Sequence, residues 1–284
     1  PCDESSLSGP IEAFQAGLIM PILVGPAGRI RGISEKLNLD ISGIEIVDAS
    51  HSQASAERAV ALVREGKAEL LMKGSLHSDE ILGEVTKRDG LRTGRRVSHV
   101  FIMDVPTHSQ TLFITDAAVN IAPDLMAKRD IVQNAIDLFV GLGLGTPKVA
   151  ILSAVETVSV AIPSTIEAAA LCKMADRGQI TGGDLDGPLA FDNAISEEAA
   201  RIKGIKSSVA GKAQILVVPD LEAGNMLAKN LSFLSNADAA GIVLGARVPV
   251  ILTSRADNLR TRLASCAVAS LLAYSQRTGR PIQS

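Results

Sequence analysis

Tryptophan is absent from this sequence, and only one tyrosine and six phenylalanines occur in its 284 residues. Single-stranded nucleic acid is held largely by stacking bases on aromatic faces, so that class of partner is disfavoured. A basic surface for a duplex is lacking too: 28 basic and 31 acidic residues give a formal net charge of -3, with the signs interspersed along the chain. Cysteine is scarce. Cys2, Cys172 and Cys266 are odd in number, far apart and without metal-ligand spacing, which argues against a disulfide framework and for a reduced, cytoplasmic setting. No apolar run reaches the ~18 residues needed to span a bilayer, and no signal peptide opens the chain. Neither nucleic acid nor membrane is expected as a partner.

What is present is a hydrophobic content of 46% against 21% charged residues, enough to build the cores of about two domains at ~150 residues each. Apolar strand-like runs alternate with segments of helical period, the pattern of a mainly parallel sheet covered by helices. The strand candidates are MPILVG (20–25), IEIVDA (44–49), AELLMKG (68–74), VSHVFIMD (97–104), QTLFITD (110–116), KVAILS (148–153), QILVVPD (214–220), AGIVLG (240–245) and VPVILTS (248–254). Between them lie helices such as SQASAERAVALVREG (52–66), closed by Gly66. FIMD and TLFITD are joined only by VPTHSQ, which predicts an antiparallel hairpin and hence a mixed sheet. The opening PCDESS is turn and helix-cap chemistry of the kind that follows a strand, so a first strand or a whole preceding domain is expected upstream of Pro1.

In open α/β sheets ligands gather beyond the carboxyl ends of strands. Polar residues collect there at MKGSLHSDE (72–80), ITDAAVN (114–120), LSAVET (152–157), VPDLEAGN (218–225) and LTSRADN (252–258). In the last of these, Ser254 and Asp257 have the spacing of a capping box for the final helix, whose buried stripe would be Leu259, Leu263, Cys266, Ala267, Ser270, Leu271 and Tyr274. Capping does not explain Arg255, a cation at the positive end of a helix dipole. Phosphate binding would: exposed amides, the dipole and a guanidinium act together on an anion. Both readings of Ser254 and Asp257 stand. Lys73, Gly74, Ser75 and His77 offer a second set of donors with a glycine that permits close approach, or else a solvated loop. GLGLGT (141–146) lacks G-x-G-x-x-G spacing and reads as a helix end and turn. Asp184, Asp186 and Asp192 in GGDLDGPLAFDNA suit either a turn or a hard cation. His51, His77, His99 and His108 share no spacing, and no G-x-S-x-G elbow is present.

A colinear series, MKGSLHSDEIL, HVFIMDVP, FITDAAVNIAPD, STIEAAALCKMADRGQITGGDLDGPLAFDNAIS, VAGKAQILVVPDLEAGNMLAKNLSFL and AGIVLGARVPVILTSRAD, resembles the phosphate acetyltransferase and phosphate butyryltransferase family over nearly the whole chain. The S-R-x-D form is closer to the butyryltransferase side. The resemblance implies a two-domain α/β fold of the isocitrate/isopropylmalate dehydrogenase type, with residues 1–94 and 245–284 in one domain, 95–244 in the other, and the active site between them. It implies the reaction acyl-CoA plus phosphate giving acyl phosphate plus CoA, by direct attack in a ternary complex. Coenzyme A and phosphate are then substrates, no cofactor or metal is expected, and a homodimer is typical. Ser254 and Arg255 match the family's serine-arginine pair, which by resemblance contacts phosphate. Asn225 matches a further family position.

Two departures from the acetyltransferase branch follow. Its aspartate two turns along the last helix is replaced here by Thr261, leaving Asp257 as the nearest carboxylate for a base, and GEVTK (83–87) lacks its arginine, for which Lys73, His77 or Arg96 could substitute. The competing readings are a metal-dependent hydroxyacid dehydrogenase on the shared fold, with the Asp184 loop holding the cation, and a non-catalytic acyl-CoA-binding module of a larger enzyme.

Overall fold

The computed structural model describes residues 1–252 and 257–283. They divide into two compact units, one made of Pro1–Arg95 with Ala240–Thr278 and the other of Arg96–Ala239 with the chain end from Gly279. The first unit opens with α1 (Glu4–Gln15), β1 (Ile22–Gly25), α2 (Ala27–Leu37), β2 (Glu45–Asp48), α3 (Ser52–Arg64), β3 (Leu71–Met72) and α4 (Ser78–Thr86). The second contains β4 (Ser98–Asp104), β5 (Leu112–Thr115), α5 (Leu125–Gly141), β6 (Lys148–Leu152), α6 (Pro163–Asp176), β7 (Asp184–Leu189), α7 (Phe191–Ile195), α8 (Glu197–Ile202), β8 (Ile215–Val217) and α9 (Leu221–Leu234). The chain returns to the first through β9 (Asp238–Leu244), β10 (Val250–Ile251) and α10 (Leu259–Thr278).

In the first unit β1 pairs with β2 in parallel, β3 with β10 in parallel, and β10 with β9 antiparallel. The PCDESS segment starts α1 as its residue types dictate: Asp3 Oδ1 accepts the Ser6 amide at 2.9 Å, satisfying one of the orphan donors of the first turn. Leu7 and Ile11, one turn apart on α1, pack with Leu23, Ile30 and Ile44 into the core of this unit. His51 caps α3 through Nδ1, which accepts the Ala54 amide at 3.2 Å, and Gly66 follows the helix at φ +73°.

In the second unit the strand order is β4-β5-β8-β6-β7. The expected hairpin is there, β4 against β5 antiparallel, while β5-β8, β8-β6 and β6-β7 are parallel. The fold is thus mixed α/β, with parallel pairs in the majority. A continuous apolar cluster that includes Met103, Ile114, Ala150, Leu189 and Leu216 forms the core. Among the described residues no helix is long and apolar enough to cross a membrane.

One segment corrects the sequence reading. GGDLDGPLAFDNA, whose composition suits a turn or a cation loop, carries Asp184 and Asp186 on strand β7, and Asp192 on α7. Asp186 Oδ1 accepts the next amide, Gly187, at 2.8 Å, and Asp184 lies 3.9 Å from Lys148 Nζ. Among the described residues no group of three or more His, Cys, Asp or Glu is placed to hold a metal ion.

Candidate active site

β3 and β10 are neighbours, with Leu71 opposite Val250 and Met72 opposite Ile251. The ladder runs one residue further, the Lys73 amide donating to Ile251 O at 2.9 Å. Because the strands are parallel, the segments that leave their carboxyl ends, 73–77 and 252–258, start side by side. The points at which two of the polar junctions picked out in the sequence leave the sheet are therefore neighbours, at the strand ends where α/β sheets place ligands.

Lys73 is partly buried, and its ammonium donates to the carbonyls of Gly74 and Leu76 at 3.3 and 3.2 Å, which folds the side chain over its own loop. Gly74 is required by a close approach within the chain: a Cβ there would stand 3.0 Å from the Pro1 nitrogen. Ser75 Oγ accepts the Cys2 amide at 3.2 Å. Gly74 and Ser75 thus hold the first two residues of the chain in place. His77 is exposed at the start of α4, where its amide donates to Glu80 Oε2 at 2.8 Å. The Ser52 hydroxyl and that amide together hold the Glu80 carboxyl below the usual carboxylate range.

Ser254 and Arg255 lie outside the described residues. The start of α10 is described, and it corrects the capping assignment. Its first residue is Leu259, and the cap is Asn258, whose Oδ1 accepts the Thr261 amide at 2.8 Å. Asp257 precedes that cap, so it does not stand at the third position of the helix that the capping-box spacing implied. The buried face is also turned from the expected stripe. Cys266, Ala269, Leu272 and Ala273 point inward, whereas Leu259, Leu271 and Tyr274 are exposed. Small residues take the inside of this helix, which a hydropathy pattern weights too lightly.

Thr261, whose amide is bound by the Asn258 cap, brings a hydroxyl and no carboxylate to the first turn of α10. Arg262, which the sequence reading passed over, donates from Nη1 to the Asp257 carbonyl at 2.5 Å, and its Nε is buried without a hydrogen-bond partner among the described residues. A buried unpaired donor on a cation is costly to leave unsatisfied. The signal for Asn258 was in the sequence, since Asn is as good an N-cap as Ser. Nothing in local pattern marked Arg262.

In the second unit Asn225 lies on α9, its Nδ2 donating to Ala117 O at 3.2 Å. Gly224 lets α9 close in, since a Cβ there would meet Val218 Cγ2 at 2.7 Å. Asp116, at the end of β5, is buried and gathers amides: Oδ1 accepts from Ala118 and Val119 at 2.9 and 3.0 Å, Oδ2 from the Asn120 amide and side chain at 3.2 and 2.6 Å. Arg96 donates from Nε to Asn120 Oδ1 at 2.7 Å. That bond commits one face of its guanidinium to the ITDAAVN turn. His99 is buried on β4.

Comparison with known proteins bears on these junctions directly. The family model described as phosphate acetyl/butaryl transferase matches residues 52–270. A phosphate acetyltransferase of Rhizobium meliloti is 71% identical over 281 residues, 99% of this chain and 89% of the relative. A phosphate butyryltransferase of Clostridium beijerinckii is 44% identical over 95% of this chain and 90% of its own length. Among solved structures, a phosphotransacetylase from Streptococcus pyogenes superposes with a TM-score of 0.83 at 25% identity, covering 96% of this chain and 92% of that one. A 4-hydroxythreonine-4-phosphate dehydrogenase from Burkholderia phymatum shares the fold alone, with a TM-score of 0.53 at 11% identity over 94% of this chain and 93% of that one. The chain belongs to the phosphate acetyl/butaryl transferase family.

Proposed function

We propose that this chain is an acyltransferase that moves a short acyl group between coenzyme A and inorganic phosphate. The observation that carries the reading is that the strands from which two polar junctions depart, β3 and β10, are parallel neighbours, in a chain whose relatives carry transferase names across nearly its full length. A dehydrogenase reading is not favoured, because the likeness to dehydrogenases extends to the fold only.

In the scheme we assign, a phosphate oxygen attacks the thioester carbonyl carbon directly, the carbon–sulfur bond breaks, and CoA leaves as its thiolate while acyl phosphate forms. Arg255 and Ser254 orient the phosphate, with Lys73 and His77 as further donors on the facing loop. Such positioning removes the entropy of bringing two substrates together, and each donor aimed at the developing oxyanion is typically worth ~2.7 to 4 kcal/mol. Arg262 Nε–H is a donor that an anion at this helix start would satisfy. In the reverse direction the CoA thiol must lose its proton, and we assign that task to Asp257, the carboxylate that immediately precedes the Asn258 cap of α10. Asn225, Gly74 and Ser75 complete the proposed binding set. The transfer is neither an oxidation nor a reduction, so the scheme contains no nicotinamide and routes no step through a metal. We place the protein in the cytoplasm, which suits its three free cysteines, and assign it the homodimer expected of the family.

Thiol release from acetyl-, propionyl- and butyryl-CoA tests the reading, on protein whose dimer is first checked by sedimentation velocity. Release that depends on added phosphate is expected, falling by about 100-fold or more in Arg255→Ala with the far-UV spectrum unchanged. Release at the same rate without phosphate would make the protein a thioesterase and remove the proposal.

A further inference from the structure

Gly9 and Pro10 are of the two residue types least suited to a helix interior, yet they stand side by side in the middle of α1. Part of the reason is local: glycine spares the clash between a proline ring and the Cβ of the residue before it. The rest is tertiary. A Cβ on Gly9 would stand 3.0 Å from Arg262 Cδ and 3.3 Å from its Nε, with Met72 Cε next at 3.6 Å. The bare backbone of α1 at Gly9 is therefore the floor over which the Arg262 side chain runs.

Because α10 begins at Leu259 behind its cap Asn258, Arg262 is the fourth residue of the helix and Asp257 the residue before the cap. These are the two positions that a hydrophobic staple joins to fix the angle at which the chain enters a helix. Here the joint is polar: Arg262 Nη1 donates to the Asp257 carbonyl at 2.5 Å. As a stabilising device it is a poor choice. It sets a cation against the positive end of the helix dipole and leaves Nε buried with no hydrogen-bond partner among the described residues. Departures of this kind from what stability alone would choose are concentrated at functional sites. What the contact does achieve is geometric. The segment 252–258, which carries Ser254 and Arg255, is tied on both sides: just before it the Lys73 amide donates to Ile251 O at 2.9 Å, and at its end Asp257 is held by Arg262 over Gly9.

We propose that Arg262 and Gly9 are positioning residues for the phosphate. Arg262 fixes the main chain of Asp257 and Gly9 sets the course of Arg262, so that helix α1, outside the set assigned to substrate, governs how Ser254 and Arg255 meet phosphate. The assignment rests on the acyl-transfer reading above and adds to it a part of the fold that the reading leaves idle.

The test measures phosphate-dependent thiol release from butyryl-CoA, with thermal midpoints, for the native chain, Arg262→Met, Arg262→Lys, Gly9→Ala and the double variant Gly9→Ala/Arg262→Met. Methionine keeps an unbranched apolar stem and loses the donors. The phosphate KM is expected to rise about tenfold in Arg262→Met and about threefold in Gly9→Ala, with the butyryl-CoA KM within about twofold of native. Arg262→Lys, which retains a donor for the carbonyl, is expected to recover most of the loss. Gly9→Ala is expected to add nothing once Arg262→Met is in place, because its effect passes through the arginine. A merely structural role predicts lowered midpoints and a smaller active fraction with the phosphate KM unchanged. That result, or additive effects of the two substitutions, would overturn the proposal while native turnover stays phosphate-dependent. Gly9→Ala decides alone if Arg262→Met does not fold. Thiol release that ignores phosphate in the native chain would instead remove the acyl-transfer reading, and this assignment with it.

Discussion

His99 is the residue whose surroundings most change its ordinary behaviour. It is 2% exposed on β4, its ring edge-on to Phe101 with centroids 4.4 Å apart, and its Nδ1 has no hydrogen-bond partner among the described residues. Burial pushes its pKa from 6.5 down to about 4, against the opposing pull of the Asp116 carboxylate. The unfolded chain therefore binds this proton at a higher pH than the folded one. The neutral ring costs nothing above about pH 6.5, and below that value protonation increasingly favours the unfolded state until the folded pKa is reached. The loss over that window is up to roughly 3 kcal/mol, at 1.36 kcal/mol per pKa unit. Urea unfolding at pH 7.5 and pH 5 is expected to show a clear fall in stability for the native chain and a smaller one for His99→Gln. Equal falls in both would locate the acid sensitivity elsewhere. Sequence alone did not separate His99 from His51 or His108, because what distinguishes it is burial by strands distant along the chain. The junction residues Lys73 and His77 were legible, since their place after a strand is a local fact, as was the cap supplied by Asp3. Arg262 was not, because its unpaired nitrogen is visible only once Gly9 is seen against the side chain, with a Cβ there standing 3.0 Å from Arg262 Cδ.

Strand β7 shows the same limit for an element. Its sequence, DLDGPL, contains aspartate, glycine and proline, all depleted in strands, and local propensity turned the reading toward a loop. Tertiary context decides otherwise. β7 is the edge strand of the second unit's sheet, where proline is tolerated, and its pairing shifts register opposite Ala150 and Leu152. Gly187 is required by contact: a Cβ there would stand 2.7 Å from Ile151 O and 2.8 Å from Ile151 Cβ, neither of which can yield without moving β6. Gly187→Ala is expected to destabilise the protein by about 1 to 3 kcal/mol. Gly83, on α4 with nothing within 4 Å of its Cβ position, is the contrast, and Gly83→Ala is expected to stabilise by about 0.5 to 1 kcal/mol. Denaturant midpoints of the two variants against the native chain check both signs. A neutral Gly187→Ala would mean that β6 and β7 part more easily than their contacts imply. The elements with apolar runs, β4, β5, β6 and β8, were legible because burial on both faces leaves few polar residues to confuse the pattern, Ser98 and His99 on β4 being the main exceptions. The face of α10 was not, because alanine and serine line its buried side.

At the scale of the whole molecule, the choice between a ternary complex and a covalent acyl-enzyme can be argued from what the chain offers as a nucleophile. Thiols are the most nucleophilic side chains when ionised, and the two thiols in the interior are held far from that state. Burial, with Asp186 and Asp176 adding to it, pushes Cys172 up to about 12, and burial alone pushes Cys266 up to about 11. Neither forms a thiolate at neutral pH, so neither is fit to take an acyl group from CoA. The colinear resemblance gave the reaction from sequence because it spans junctions on both units, but it gave no account of these thiols, whose inertness comes from packing. Direct attack makes a specific demand on isotope exchange. In a ternary mechanism labelled CoA enters acyl-CoA only after phosphate has accepted the acyl group, whereas an acyl-enzyme exchanges CoA with no phosphate present. Incubating the protein with butyryl-CoA and labelled CoA is therefore expected to give no exchange until phosphate is added, and exchange comparable to turnover once it is. Exchange without phosphate, abolished by substituting any single serine or cysteine, would replace direct attack with a two-step transfer and would identify the residue that carries the acyl group.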